Sequence, residues 1–257
     1  MGETDLLIEA PVAGVVVLTL NRPEQLNAVD MALSYRLMDV FAKLAQDDKV
    51  NAIVLTGSGA KAFCAGYDIN EFLGLDPPAL LATHTARDPL LWQIANHPKP
   101  VIAALNGLAY GAGALLALAC DIRVGCSKTR FLVTATKYGA AMATWSLPQV
   151  VGFSKAKEIL LLGRTLESDE CKTLGILNFL VDDGEVLAHS LELAETISKY
   201  PVSGPRLVKK LINDGLGRTY EDQYRADHMA MYGSNVRPGN EIFGNSPPAK
   251  KGQERQR

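Results

Sequence analysis

Two glycine-containing turns hold the backbone groups of this chain that could do chemistry. The first turn, Cys64 to Asp68, follows a predicted buried strand. Its small residues would let a ligand approach the main chain closely, and N–H groups at such a turn can donate to a carbonyl oxygen. Asp68 is predicted to cap the short helix that follows. A tight turn that only packs well is the alternative interpretation of this stretch.

The second turn, Asn106 to Gly113, opens a helix made almost wholly of Ala and Leu. The free N–H groups and the positive dipole end of that helix face whatever lies before it. Gly111 and Gly113 could suggest a dinucleotide loop, but Leu116 breaks the G-x-G-x-x-G pattern. One amide from each turn would instead form a two-donor oxyanion hole, which stabilises negative charge developing on an oxygen.

The sequence lacks the residues that several other catalytic and binding chemistries require. The four cysteines form no CxxC pair, and no cluster of His, Cys and acids has metal-ligand spacing, so we expect no metal site. No G-x-S-x-G motif occurs. A net charge of −2 gives no basic face for nucleic acid. With neither a signal peptide nor a long apolar run, we expect no membrane span and a cytoplasmic protein with reduced thiols.

The hydrophobic pattern predicts an α/β chain in which a strand–strand–helix unit recurs loosely and which becomes all-helical near Asp182. The helix over 77–96 is expected to be interrupted at Asp88-Pro89. The segment 57–62 is expected to be a loop. The predicted strands are 5–10, 14–20, 52–56, 101–105, 121–124 and 176–181, and the predicted helices are 31–45, 77–96, 111–119, 153–162, 168–174, 184–199, 203–214 and 219–232.

The end of the chain is polar and rich in Pro, Gly and basic residues. Residues 245–257 cannot bury enough apolar area to offset the entropy of ordering, so we expect a mobile tail. Phosphate binding by Lys250, Lys251 and Arg255 is the functional alternative to a solvated end.

Four blocks of the chain, in the right order, resemble the crotonase, or enoyl-CoA hydratase/isomerase, superfamily. They lie at 18–30, 52–72, 99–124 and 150–183. The resemblance implies an α/β fold, a crotonase-like spiral of ββα units over residues 1–183. It also implies a C-terminal helical trimerisation region over 184–243, followed by a flexible tail over 244–257, and assembly into a homotrimer or hexamer.

The same resemblance implies an acyl-CoA thioester as the ligand, with coenzyme A arriving as part of the substrate and no other cofactor. The oxyanion donors would be the backbone amides of Tyr67 and Ala112. The coenzyme A site would comprise Ala65, Gly66, Tyr67, Asp68, Ile69, Asn70 and Gly111.

Two departures from the family pattern argue against ordinary hydration. Leu115 and Ala135 stand where hydratases carry two catalytic glutamates, and hydration needs both carboxylates to activate water and move a proton. We therefore expect non-standard chemistry on a thioester enolate. The alternatives are a malonyl-type acyl-CoA decarboxylase, which needs only an oxyanion hole and a proton donor, and a non-catalytic acyl-CoA binding protein.

Several polar or aromatic residues are further candidates at this site. Tyr67 could donate or orient a proton, or it could line an aromatic wall. His84, on the helix expected to cover the acyl pocket, could be an acid or base, or could lie at the surface. Thr136 lies, with Thr134 and Tyr138, in the region where the second acid would be. A hydroxyl there could orient water, although it is a poor base. Trp145 is predicted to be a pocket wall or core residue.

Overall fold

The computed structural model of the protein describes residues 4–232. Residues up to Lys210 form one compact unit, and a second begins at Leu211. The predicted tail over 244–257 lies outside the described residues, and the predicted boundary at residue 183 stays a prediction. In the part of the chain described here, no helix is both long enough and apolar enough to cross a membrane.

Strands and helices alternate along the described residues. The strands are β1 (Leu6–Val12), β2 (Val15–Leu20), β3 (Ala52–Gly57), β4 (Ala62–Cys64), β5 (Val101–Leu105), β6 (Leu108–Tyr110), β7 (Ile122–Gly125), β8 (Arg130–Leu132), β9 (Leu166–Glu167) and β10 (Phe179–Leu180). The helices are α1 (Met31–Gln46), α2 (Pro77–Ala95), α3 (Ala112–Ala119), α4 (Leu147–Val151), α5 (Phe153–Leu162), α6 (Ser168–Thr173), α7 (Val186–Ser198), α8 (Ser203–Gly215) and α9 (Tyr220–Tyr232). Short 3₁₀ turns lie at Pro23–Gln25, Ile69–Glu71 and Ala135–Tyr138.

The strands form two sheets, and the pairs β3–β4, β5–β6 and β7–β8 each place one strand in each sheet. The larger sheet has the order β1-β2-β3-β5-β7-β10, and the smaller has the order β4-β6-β8-β9. Strands β3, β5 and β7 are parallel in the larger sheet, and β4, β6 and β8 are parallel in the smaller. Each pair of strands is followed by helix, so the predicted strand–strand–helix repeat is confirmed.

The central strands of the larger sheet are buried on both faces, as parallel strands usually are. All residues of β3 and β5 are buried. Alternate residues enter different clusters: Ile53 and Leu55 join the main core, whereas Ala52 and Val54 face the other side. There they share a second cluster with residues of α7. The continuous apolar runs in the sequence therefore reflect a sheet covered on both sides.

The strands of the smaller sheet were missed in the sequence because they are too short to show a period. Each spans two or three residues. The segment 57–62, expected to be a loop, leads directly into β4. The last predicted strand, 176–181, is shorter than expected and pairs with β7 only at Phe179 and Leu180. Its first part turns back, because Leu177 N–H donates to the carbonyl oxygen of Cys171 at 3.0 Å.

The predicted interruption of the helix at Asp88-Pro89 is wrong, since α2 continues through Pro89. Proline removes one hydrogen bond and crowds the carbonyl four residues earlier. Here buried side chains anchor the helix on both sides of that defect, with Arg87 before it and Leu90 and Ile94 after it. Packing against the core therefore outweighs the local preference for a break.

A buried histidine follows α2. His97 is 2% exposed. Its Nε2 lies 3.1 Å from the carbonyl oxygen of Phe41, and its Nδ1 accepts from Lys99 N–H at 3.2 Å. These contacts suit a neutral ring that donates at Nε2. Burial lowers the pKa of His97 from 6.5 to about 4.

We expect this histidine to make the protein less stable in acid. The unfolded chain binds a proton at His97 below pH 6.5, whereas the folded chain binds it only near pH 4. The stabilisation is therefore fully present above the unfolded pKa and is lost as pH falls through the folded one, by about 3 kcal/mol in total. Urea unfolding between about pH 4.5 and about pH 7.5 measures this loss.

The His97→Gln variant should show a shallower dependence of unfolding free energy on pH than the wild type, because glutamine does not titrate. Equal slopes in the wild type and in His97→Gln would contradict the assignment.

Candidate functional site

The fold brings the two glycine turns together. Strands β4 and β6 are parallel neighbours, with Cys64 opposite Ala109, so both turns leave the same edge of the smaller sheet. A Cβ atom on Gly66 would lie 3.0 Å from the carbonyl oxygen of Tyr110 and 3.2 Å from the amide nitrogen of Ala112. Gly66 also has a φ of +113°, a conformation that side chains rarely adopt. The backbones of the two turns are therefore in direct contact.

The start of α3 is pressed onto the first turn. A Cβ on Gly113 would lie 2.0 Å from the carbonyl oxygen of Cys64, so no side chain fits there. Gly111, with a φ of +50°, faces the Thr134 hydroxyl, 3.3 Å from where its own Cβ would be. Thr134 therefore lies over the second turn.

The backbone amides of Tyr67 and Ala112 differ from those of their neighbours in their hydrogen bonding. Within residues 4–232, neither donates a hydrogen bond to another protein group. By contrast, Asp68 N–H donates to the carbonyl oxygen of Val29 at 3.0 Å, and Gly111 N–H donates to an oxygen of β8 at 2.8 Å. Ala112 is the first residue of α3, where no carbonyl of the same helix can reach its amide. Two free N–H groups on adjoining turns can hold one electron-rich oxygen.

Cys64 stands next to these amides but is not a nucleophile. Burial raises the pKa of its thiol to about 12, and a hydrogen bond from Gly66 only partly opposes this. Burial likewise raises the pKa values of Cys120 and Cys171 to about 12. A thiol with so high a pKa stays protonated at neutral pH and reacts slowly.

Tyr67 lies among aromatic and charged side chains. Its ring centroid is 6.3 Å from that of Phe72 and 6.4 Å from that of His84, and the Arg87 guanidinium lies 4.6 Å from the ring centroid. Burial raises the pKa of the Tyr67 phenol to about 12, although the positive charge of Arg87 opposes the shift. The phenol therefore stays protonated and can donate a hydrogen bond but cannot act as a base. His84 itself stacks on Phe72 at 5.0 Å.

Arg87 was not identified from the sequence. Its side chain is fully buried, forms an ion pair with Glu71, and leaves Nη1 without a partner among the described residues. Its spacing in the sequence could have indicated that it lies on the buried face of α2, since Arg87 precedes the buried Leu90 by three residues and Ile94 by seven. A cation on the buried stripe of a helix requires an acid partner. That ion pair fixes the position of α2 against the first turn.

A cavity of 280 Å³ opens beside α3. Leu115 lines it and follows Ala112 by three residues, a rise of about 4.5 Å along a helix. One residue of the cavity wall is therefore about one helical turn from Ala112 along α3. Trp92 and Trp145 meet edge to face in its wall at 6.2 Å, which confirms Trp145 as a pocket wall. The lining residues are Asp88, Leu91, Trp92, Leu115, Ala141, Met142, Ala143, Thr144 and Trp145.

The two positions predicted to match the hydratase glutamates are apolar and enclosed. Leu115 is 4% exposed and Ala135 is 9% exposed. Thr136, the predicted replacement for the second acid, is exposed, and its hydroxyl donates to the carbonyl oxygen of Leu160 at 2.6 Å. The structure therefore brings Thr134, rather than Thr136, to the turns. A catalytic role for Thr136 stays a prediction.

The predicted coenzyme A segment runs from a buried turn to an exposed one. Asp68 accepts from the Asn70 N–H at 3.1 Å, which confirms the predicted cap, and it pairs with Arg22 at 3.1 Å. Burial alone would raise the pKa of Asp68, but the hydrogen bonds from Asn70 and Arg22 hold that pKa below its usual value. Ile69 is 69% exposed. A long ligand could therefore reach solvent along this segment.

Comparison with known proteins places these features in one family. The sequence model described as "Enoyl-CoA hydratase/isomerase" matches residues 11–237. The chain is 35% identical to 1,2-epoxyphenylacetyl-CoA isomerase of Escherichia coli (strain K12), over 82% of each chain. It is 33% identical to 4-chlorobenzoyl coenzyme A dehalogenase-2 of Arthrobacter sp, over 81% of this chain and 78% of the relative. The crystal structure of an enoyl-CoA hydratase from Bacillus anthracis has a TM-score of 0.88 and 28% identity, covering 93% of this chain and 94% of that one.

Proposed function

Because this chain belongs to the enoyl-CoA hydratase/isomerase family of enzymes, we propose that it binds an acyl-CoA thioester and stabilises the enolate of that thioester with two backbone amides. The predicted resemblance and the α/β, crotonase-like fold are confirmed. The donors in this proposal are the amides of Tyr67 and Ala112.

The observation that carries the proposal is the meeting of two unpaired amides at adjoining turns. The Ala112 nitrogen lies 3.2 Å from the Cβ position of Gly66, the residue immediately before Tyr67. An enolate oxygen carries more negative charge than the carbonyl oxygen it comes from, so donors placed in advance stabilise the transition state more than the ground state. Small or glycine residues on both turns are what such a close approach requires.

The reaction we propose is not ordinary hydration of an enoyl thioester. Leu115 and Ala135 can neither activate water nor transfer a proton. Enolate chemistry without these acids includes isomerisation and decarboxylation. Thr134 over the second turn and the protonated Tyr67 are groups that a malonyl-type decarboxylase could use to orient or protonate an enolate. A non-catalytic acyl-CoA binder would keep the same amides.

For the acyl group, the cavity favours an apolar substituent that carries a ring. Its volume is 280 Å³, and Trp92 and Trp145 form an aromatic corner in its wall. Aromatic pairs bind flat rings well in stacked or edge-to-face arrangements. Two relatives bear names with ring-bearing acyl groups, phenylacetyl and chlorobenzoyl. These names support the same class of acyl group here.

Further parts of the proposal concern the rest of the ligand and the assembly. Coenzyme A would enter as part of the substrate and extend along Ala65–Asn70 and Gly111, without another cofactor. The C-terminal helices would assemble the chain into a homotrimer or hexamer, and the cytoplasm would be its location.

Calorimetry and turnover assays with three thioesters test the proposal. We expect phenylacetyl-CoA to bind more tightly than crotonyl-CoA, and crotonyl-CoA to be hydrated far more slowly than by an ordinary hydratase. Carbon dioxide release from methylmalonyl-CoA would select the decarboxylase. Tight binding without turnover of any thioester would select the binder. No binding of any of the three would overturn the proposal.

A further inference from the structure

The cavity beside α3 is lined by a carboxylate, although Leu115 and Ala135, the positions predicted to match the hydratase glutamates, are apolar. Of the nine residues that line it, Asp88 is the only one with an ionisable side chain. Thr144 is the other hydrogen-bond acceptor among these side chains, and a hydroxyl is too weak a base to remove a proton from carbon. The apolar Leu115 lines the same cavity. Proton transfer inside this cavity therefore has one candidate group.

The Asp88 carboxylate is not used by the fold. Within the described residues it forms no ion pair and no hydrogen bond with another side chain, unlike its neighbour Arg87, which is buried against Glu71. The Arg87–Glu71 pair holds α2 in place and so positions Asp88 at the cavity. By contrast, the Asp68 carboxylate is held by Arg22. The Asp88 carboxylate lies on an anchored helix beside a mostly apolar cavity and has no such partner, so it remains available to a ligand bound there.

Asp88 also lies within electrostatic reach of the oxyanion turn. Its negative charge adds to the effect of burial in raising the pKa of Tyr67. The cavity that it lines also includes Leu115, which is about one helical turn from Ala112 on α3. An acyl group whose thioester oxygen rests on the two amides would therefore place its α carbon between those amides and the cavity.

We propose that Asp88 is the general base of this enzyme and takes a proton from the α carbon of the bound acyl thioester. This inference rests on the proposed function. In the step, the α C–H bond breaks and an O–H bond forms on the Asp88 carboxylate. The C–H electron pair becomes the double bond of the enolate, and the carbonyl π pair moves to the oxygen held by the Tyr67 and Ala112 amides.

The protonated Asp88 then gives a proton back to carbon, which breaks its O–H bond, forms a C–H bond and regenerates the carboxylate. Return to the α carbon regenerates the substrate, whereas return to the γ carbon of a β,γ-unsaturated acyl group gives the α,β-unsaturated isomer. One carboxylate suffices for both transfers, because the acid formed in the first step donates a proton in the second. Asp88 is exposed, so this acid can exchange its proton with solvent between the two steps.

Hydrogen exchange separates this role from binding. Wild-type protein incubated with phenylacetyl-CoA in D₂O should exchange an α hydrogen for deuterium, seen as a mass increase of the thioester. Asp88→Asn keeps the shape of the side chain and removes the base, so the exchange rate should fall by about 100-fold or more. Binding of phenylacetyl-CoA, measured by calorimetry, should change little. Asp88→Glu keeps a carboxylate and should retain part of the exchange.

Asp39→Asn is the matched control, because it removes the same charge from an exposed position of α1. It should exchange at the wild-type rate. Wild-type exchange in Asp88→Asn, or no exchange in wild-type protein that binds the thioester, would overturn the role of Asp88 but leave the binding proposal intact. Failure of the wild type to bind any acyl-CoA would instead overturn the proposed function. Should Asp88→Asn not fold, Asp88→Ser provides the same comparison.

Discussion

Replacing Ala112 with proline should lower turnover of any accepted acyl-CoA by about 100-fold or more, because proline has no N–H to donate to the enolate oxygen. Loss of one oxyanion donor typically costs about 3 kcal/mol of transition-state stabilisation. Ala112 is the first residue of α3, and proline is well tolerated at that helix position. The helix should therefore persist while the hole is lost. Steady-state kinetics and circular dichroism of the same preparation measure the two effects separately.

Ala112→Gly is the matched control for this experiment. It changes the side chain at the same position but keeps the amide, so its turnover should stay close to that of the wild type. Full activity in a folded Ala112→Pro protein would show that this amide does not hold the oxygen. Equal losses in both variants would assign the effect to the side chain instead.

Replacing Gly113 with alanine should destabilise the protein by about 2 kcal/mol or more, although the same change inside an ordinary helix stabilises by up to about 1 kcal/mol. The sign reverses because the new Cβ would lie 2.0 Å from the carbonyl oxygen of Cys64. That oxygen belongs to the backbone of β4 and cannot rotate away, so α3 or β4 must move. Urea unfolding monitored by circular dichroism measures the change in free energy.

Gly204→Ala is the control for Gly113→Ala. Gly204 lies in the first turn of α8, and no atom lies within 4 Å of the position that its Cβ would occupy. This variant should be as stable as the wild type or slightly more stable. A Gly113→Ala protein of wild-type stability would contradict the close contact of α3 with β4, and with it the geometry of the two turns. Activity should also fall in Gly113→Ala, because any shift of α3 carries the Ala112 amide with it.

Several parts of the fold were predictable from local patterns. The helix over 31–45 and the strand over 52–56 have clear periodicity or a continuous apolar run, and the structure contains them as α1 and β3. The cap formed by Asp68 was predictable because its bond to Asn70 spans only two residues. Local chemistry was misleading at Pro89, where burial of the flanking residues keeps α2 continuous.

Other parts depend on residues far apart in the chain. Arg87 and Glu71 are sixteen residues apart, and only the packing of α2 on the first turn pairs them. The sequence does not distinguish Thr134 from Thr136 as a candidate site residue. The path of the chain after β8 directs only Thr134 toward Gly111. Asp88 could not be assigned to the cavity from the sequence. Successive side chains of a helix point about 100° apart, and the sequence does not show which face of α2 meets the cavity.

The sequence by itself determined the family resemblance, the two small-residue turns and the absence of acids at Leu115 and Ala135, since each of these depends on residue identity at fixed spacing. Only the tertiary structure decided that the free amides of Tyr67 and Ala112 belong to adjoining turns, and that Asp88 lines the neighbouring cavity. The pairing of β4 with β6 brings residues from 64 and 109 side by side. Three-residue strands have too little local pattern to specify their own pairing, so the contacts of the whole core position them.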